Sequence, residues 1–176
     1  MAIDRRLPTH QKDRQLVMEL LDCAQYPTVP QLLRADNAHD ANRWFENKAE
    51  VFKNVDLKTS KDLIERYRCI PKHCYANCFH SDITGNFFYY EGYVLSKENP
   101  YIAIAHSWLV AKDNGDVIDV TLPCVDHIGE TYIGIGIPRH EVNRLGFKLE
   151  VTGDFLFYMY AKENIKQHTL VGGSKR

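Results

Sequence analysis

The sequence has no excess of charge of either sign and no long apolar run. Its 176 residues include 22 Lys and Arg against 23 Asp and Glu, a formal net charge of −1. The basic residues are scattered along the chain, so we expect no surface that binds a nucleic-acid backbone. No stretch approaches 18 consecutive apolar residues, so we expect no membrane-spanning helix.

The sequence also lacks the marks of secretion. The first residues, MAIDRRLPTHQKDRQ, contain no apolar core of a signal peptide. The five cysteines are an odd number and do not make a complete set of disulfides. These features predict reduced thiols and a cytoplasmic protein. Neither GxxxxGK[ST] nor HExxH occurs, and no cofactor is expected.

Residue patterns predict one α+β domain over residues 1–176, with helices first and an antiparallel sheet later. Within it we expect a helical part over 1–70, a thiol-bearing helix with the sheet over 71–165, and a flexible tail over 166–176. The predicted helices cover 11–25, 40–54, 57–68 and 138–146, the third capped by Thr59 or Ser60. The predicted strands cover 86–95, 101–111, 116–122 and 154–162, while 130–138 is interpreted as a strand rim or a loop.

The stretch CYANCFH, residues 74–80, combines two cysteines, an asparagine and a histidine. Cys74 follows Pro71 by three residues and is expected in the first turn of a short helix, where a thiol pKa is lowered. Cys78 lies one turn later and is expected to pack in the core. Asn77 shares the side of Cys74 and supports an oxyanion, orients a neighbour or caps the helix.

A histidine and an aspartate lie on the two strands of a predicted hairpin. The turn Asp113-Asn114-Gly115 joins the strands, and a loop centred there brings His106 and Asp119 within a pair or two of each other. An aspartate in an apolar strand is costly to bury unpaired, and a neighbouring histidine offers a charge-assisted partner. Such a pair either braces the sheet or orients a catalytic imidazole.

The order CYAN…YYEGYV…AHSWLV…VIDVT…YIGIGIP resembles the transglutaminase-like branch of the papain-like cysteine enzymes over about residues 71–138. It is also similar to a group of bacterial and phage proteins of about this size. The resemblance implies a papain-like fold, with the thiol at the head of a helix packed on an antiparallel sheet. It also implies that the His and the Asp come from adjacent strands. Peptidases, amidases, deamidases, acyl transferases and inactive members all belong to this superfamily.

The leading hypothesis is a cysteine-dependent hydrolase or acyl transferase that acts on an amide or acyl bond of a protein, a peptide or a small amide. Cys74 would be the nucleophile, His106 the general base and then acid, and Asp119 the group that orients His106. Asn77 would support the oxyanion or the site. No metal belongs to this scheme.

Two alternatives remain open. The first is an inactive interaction module of the same fold, in which His106 and Asp119 brace the sheet. The second is a structural zinc domain, whose ligands would come from five closely spaced side chains. These are Cys69, His73, Cys74, Cys78 and His80.

Overall fold

A computed structural model describes residues 38–82, 85–96, 103–146, 155–156, 159–160 and 162–163. The helix predicted over 11–25 and the tail predicted over 166–176 lie outside these residues. The described part is α+β, as the sequence predicts.

Between residues 38 and 146 the described part of the chain contains four α-helices. They are α1 (Ala38–Lys48), α2 (Leu57–Tyr67), α3 (Cys74–Ser81) and α4 (Arg139–Gly146). The N-cap of α2 is Asp56, not Thr59 or Ser60 as predicted from sequence. The Asp56 carboxylate accepts hydrogen bonds from the Thr59 N–H at 2.9 Å and from the Thr59 hydroxyl at 2.6 Å. Thr59 therefore takes the third helical position, where its N–H needs such a partner.

Within the described residues, five antiparallel strands form one sheet in the order β1-β5-β2-β3-β4. The strands are β1 (Glu50–Phe52), β2 (Phe87–Ser96), β3 (Ala103–Ala111), β4 (Val117–Ile118) and β5 (Gly129–Ile137). Val55, three residues after β1, makes a parallel bridge to Val117 of β4, at the opposite end of the strand order. The sheet therefore curls until its first and last strands come together.

The two faces of the sheet bury different clusters. One face packs against the helices, with Phe45 of α1 and Phe79 of α3 in its core. The other, which we call the aromatic face, carries Tyr90, Val94, Trp108, Val110, Val117 and Tyr132. Because side chains alternate along a strand, His106 and Trp108 both belong to the aromatic face, and Ser107 faces the helices.

Three predicted elements differ from the structure. The helix predicted over 40–54 ends at Lys48, and Glu50–Phe52 pairs with β5 instead. Strand β4 covers two residues of the predicted 116–122, because a 3-10 helix with Pro123 in its first turn follows over Leu122–Val125. The predicted strand over 154–162 is wrong, since the described residues 155–156, 159–160 and 162–163 are helical.

The segment interpreted as a rim or a loop, 130–138, belongs to a full strand. Strand β5 pairs with β1 on one side and with β2 on the other. Two of its three glycines lie where a side chain has no room. A Cβ on Gly134 would come 2.4 Å from the Trp108 ring, and one on Gly129 would come 2.5 Å from the Tyr132 ring. The glycines that obscured the strand in the sequence are therefore the residues that allow it to pack.

Candidate active site

Cys74 is the first residue of α3, as the sequence predicts. The residue before the helix, His73, makes no capping hydrogen bond with its side chain. The first N–H groups of a helix have no carbonyl partner within it, so this end of α3 carries partial positive charge beside the Cys74 sulfur. The chain enters the helix through Lys72, whose φ of +66° lies in the left-handed region. Cys74 itself is 8% exposed.

His106 lies on β3 and is 3% exposed. Its Nε2 lies 2.9 Å from Oδ2 of Asp119, so the pair predicted from the hairpin is present. The imidazole ring is nearly parallel to the Trp108 indole, with an interplanar angle of 18° and ring centroids 6.4 Å apart. The indole and the carboxylate together fix the plane of the imidazole ring.

Asp119 is fully buried, and its carboxylate has four hydrogen-bond partners. Its Oδ1 accepts from the backbone N–H groups of Thr121 at 2.9 Å and Leu122 at 3.0 Å. Its Oδ2 contacts His106 and also accepts from the Tyr132 hydroxyl at 2.8 Å. The orientation of the carboxylate is therefore determined by the backbone turn that follows β4 and by β5.

The thiol of Cys74 interacts with the ring of His106. Because Nε2 is engaged by Asp119, Nδ1 is the ring nitrogen left for the sulfur. The three side chains thus form a line, from thiol to imidazole to carboxylate, in the order that a thiol–imidazole enzyme requires.

The charges of this line favour an ion pair. Burial raises the pKa of the Cys74 thiol, but the His106 ring and the Ser107 N–H outweigh it and lower that pKa. Burial likewise opposes the charge on His106, yet the Asp119 carboxylate raises the His106 pKa to about 10. His106 in turn lowers the pKa of Asp119 against the effect of burial. These shifts favour the charged pair, a thiolate beside an imidazolium.

Ser107 is a site residue that sequence reasoning missed. It is fully buried on the helix-covered face, and its N–H and hydroxyl both stabilise the Cys74 thiolate. The same hydroxyl lies near Cys78, and its Oγ has no hydrogen-bonding nitrogen or oxygen within the described residues. The signal in the sequence was its place next to His106. Neighbouring residues of a strand point to opposite faces, so His106 and Ser107 lie on opposite sides of the thiol.

Asn77 is buried, and both ends of its amide are occupied. Its Oδ1 accepts from the Ile70 N–H at 3.0 Å, and its Nδ2 donates to the Ile70 carbonyl at 2.8 Å. The same Nδ2 donates to the Thr121 hydroxyl at 2.9 Å. Of the roles predicted for Asn77, these bonds fit that of orienting neighbouring parts of the site, because they tie the loop before Cys74 to the turn after Asp119. They leave the amide poorly placed to serve an oxyanion.

The side chains of the zinc hypothesis do not converge. His73 and His80 are exposed, whereas Cys74 and Cys78 are buried in the core. Burial raises the pKa of Cys78 far above its ordinary value, which fits the predicted packing role. Within the described ranges no three His, Cys, Asp or Glu side chains are grouped so that they could hold a metal ion.

Tyr132 is a second missed residue. Its hydroxyl binds Asp119, and its ring lies 6.4 Å from the His106 ring. It comes from β5, which lies outside the predicted hairpin, in the segment interpreted from sequence as a strand rim or a loop. Nothing in the hairpin pattern points to it.

An open depression of about 410 Å³ lies elsewhere, lined by residues such as Lys48, Glu50, Phe88 and Pro138. None of Cys74, His106 and Asp119 lines it.

Comparisons with protein-family models, with curated proteins and with solved structures found no match. No helix in the part of the chain that the structure describes combines the length and the apolar character needed to cross a membrane.

Proposed function

We propose that the protein is a cysteine-dependent hydrolase or acyl transferase that acts on an amide or other acyl bond. The observation that carries the proposal is the buried line from Cys74 through His106 to Asp119, with the thiol at the start of α3. The resemblance to the papain-like enzymes supports the same assignment, because thiol, imidazole and carboxylate occur in that order on a helix and two strands.

The reaction begins with the Cys74 thiolate attacking the carbonyl carbon of the substrate. The carbonyl oxygen takes up negative charge, and N–H groups in the first turn of α3, beside the thiol, stabilise it. His106, protonated at Nδ1, gives its proton to the leaving amine or alcohol as the tetrahedral intermediate collapses. The products of this step are a thioester at Cys74 and a neutral imidazole.

The second half of the reaction uses the neutral His106 as a base. It removes a proton from water or from an acceptor amine or alcohol, which attacks the thioester carbonyl. Collapse expels the Cys74 thiolate and restores the imidazolium. Asp119 keeps its charge throughout and stabilises the imidazolium through Nε2. Water as the acceptor makes the protein a hydrolase, and any other acceptor makes it a transferase.

The test measures alkylation of Cys74 by iodoacetamide between pH 5 and pH 9, with mass spectrometry to assign the site. The lowered Cys74 pKa predicts that its rate falls less between pH 8.5 and pH 6 than the rate of an ordinary thiol does. An ordinary thiol loses about a hundredfold over that range. His106→Ala should turn Cys74 into an ordinary thiol, and Cys74→Ala should remove the labelled site without loss of folding. Cys124 serves as the internal control, because burial raises its pKa.

The low exposure of Cys74 favours a second candidate, an interaction module that keeps the site as a buried brace. The same measurement separates the two functions. A Cys74 that reacts no faster than Cys124 below pH 7, and that is indifferent to His106→Ala, supports the brace and contradicts the enzyme.

A further inference from the structure

Strand β3 is paired unequally along its two edges. Strand β2 pairs with it over its whole length, from Leu95 opposite Ala103 to Phe87 opposite Ala111. On the other edge β4 pairs with Leu109 and Val110, and its last paired residue is Ile118. Within the described residues no strand pairs with that second edge over 103–107.

The turn between β3 and β4 shows which backbone groups of β3 point toward this edge. The Ala111 N–H donates to the Asp116 carbonyl at 2.9 Å, which places the odd-numbered N–H and C=O groups of β3 on the β4 side. Ala105 and Ser107 therefore direct their backbone groups toward the edge that β4 leaves open.

The chain after β4 turns away from this edge. The Val120 carbonyl, which a longer β4 would offer to the Ser107 N–H, accepts instead from the Asn77 Nδ2 at 3.4 Å. The Ser107 N–H is then taken by the sulfur of Cys74, so the thiol occupies a ladder position that a longer β4 would fill. One pair further along, Ala105 is exposed, and its neighbour Ile104 is 39% exposed.

We propose that the open edge of β3 at Ala105 binds an extended polypeptide as an added strand and presents one of its carbonyl groups to Cys74. This inference rests on the proposed function and narrows its substrate class to peptides or protein segments. Ala105 and Ser107 lie about 7 Å apart along the strand, the span of two residues. A chain that pairs with Ala105 thus reaches the thiol two residues later. Recognition by main-chain groups gives affinity with little demand on side-chain identity.

The experiment compares reagents that carry the same reactive group. Acetyl-Ala-Ala-Ala chloromethyl ketone and chloroacetone both alkylate a thiolate, with an S–C bond formed and chloride released. Each rate at Cys74 is divided by the rate with glutathione, which removes the intrinsic reactivity of the reagent. Two analogues of the peptide reagent, methylated on the nitrogen of the first or the second alanine, lack one N–H that could pair with the Ala105 carbonyl.

The substitution Ala105→Pro removes the edge-facing N–H without removing a hydrogen bond to β2, and proline is tolerated at such a position. Ala105→Ser keeps that N–H and is the matched control. The expected result is a peptide preference of at least about tenfold over chloroacetone in the wild-type protein and in Ala105→Ser. The Ala105→Pro variant should lose most of that preference. On the wild-type protein, at least one methylated reagent should likewise lose most of its advantage over chloroacetone.

A wild-type protein that shows no peptide preference, or one that neither methylation nor Ala105→Pro reduces, overturns the inference. The chloroacetone rate reports whether Ala105→Pro keeps an intact site, and the methylated reagents test the same point on the wild-type protein. Failure of the proposed function is distinct, because Cys74 would then react with iodoacetamide as an ordinary thiol.

Discussion

The Asp119 carboxylate is the buried charge whose desolvation the surrounding site must offset. Moving a carboxylate out of water costs several kcal/mol, and the cost is offset only where hydrogen bonds and a counter-charge replace the water. Asp119 has both: backbone N–H groups on Oδ1, and Tyr132 with His106 on Oδ2. Each donor lost leaves negative charge buried with less compensation, so the site tolerates little change at its centre.

The raised pKa of His106 predicts a pH-dependent contribution to stability. Its ordinary pKa is 6.5, and Asp119 raises it to about 10. The folded protein therefore holds a proton that the unfolded chain releases, and the stabilisation is full below about pH 6.5 and lost as the pH rises through 10. Ionised Cys74 releases a proton on folding and would mask this effect. Proteins with and without Asp119 are therefore compared in the background of the Cys74→Ala substitution.

We expect Cys74→Ala/Asp119→Asn to be less stable than Cys74→Ala by about 3 kcal/mol at pH 6. The difference should shrink steadily between pH 7 and pH 10. Urea unfolding at four pH values across this range measures it. A difference that stays constant from pH 6 to pH 10 would show that Asp119 does not hold a proton on His106.

At the scale of elements, the site depends on how closely β2 and β5 approach. Gly92 of β2 lies opposite His106 on one side and opposite Gly134 on the other. A Cβ on Gly92 would come 2.1 Å from the Ile133 carbonyl oxygen and 2.5 Å from the Gly134 Cα. Both atoms belong to the backbone, so neither can move without shifting β5.

The substitution Gly92→Ala should therefore destabilise the protein by about 2–4 kcal/mol, since two strands must separate to admit one methyl group. Gly136→Ala is the matched control on β5. Its Cβ would lie 3.1 Å from the nearest atom, on the side chain of Tyr90, and about 1 kcal/mol or less is expected. Thermal unfolding of the two variants gives the comparison. If the two variants lost equal stability, the close approach of β2 and β5 would not be what makes a side chain at Gly92 destabilising.

The hairpin that carries His106 and Asp119 could be predicted because its information is local. Asp113-Asn114-Gly115 determines the turn, and Gly115 adopts a φ of +81° there. The register then follows by counting, and His106 meets Asp119 as expected. Cys74 could be placed for a similar reason, since Pro71 indicates a helix start a few residues later.

Tyr132 and Ser107 could not be predicted in the same way. Tyr132 reaches Asp119 because β5 crosses between β1 and β2, which is a fact of the strand order and not of any short segment. Ser107 stabilises the thiolate because β4 stops at Ile118, and the hydrophobic pattern of VIDVTL continues past that point. Long-range pairing and early strand ends leave no mark in local periodicity.

The C-terminal region was misjudged because its aromatic residues suggested β-structure. Phe155, Leu156, Met159 and Tyr160 recur at helical spacing and pack with the helix-covered core. Composition indicated a strand, whereas the spacing of the buried side chains indicated a helix. The spacing was the better guide here, because it records which face the segment buries.

At the scale of the molecule, this C-terminal region is joined to the sheet through Glu91. The side chain is 2% exposed on β2, and its Oε2 accepts from the Leu156 N–H at 3.1 Å. Its Oε1 accepts from the Tyr89 hydroxyl at 2.8 Å. On the neighbouring strand β3, the residue paired with Glu91 is Ser107, which contacts the Cys74 thiolate. One buried carboxylate thus connects the last helical residues to the strand pair that carries the site.

Glu91→Leu keeps the size of the side chain and removes both acceptors. Leu156 and Tyr89 then bury donors without those partners, at about 1–3 kcal/mol each, and a loss of about 2–4 kcal/mol is expected. Hydrogen exchange followed by mass spectrometry compares the variant with the wild-type protein. The increase in exchange rate should be larger over 155–163 than in the paired strands β2 and β3. Glu130→Leu, at an exposed position on β5, is the control and should change stability by about 0.5 kcal/mol or less. If exchange rises equally in β2, β3 and 155–163, Glu91 supports the whole core and does not specifically anchor the C-terminal region.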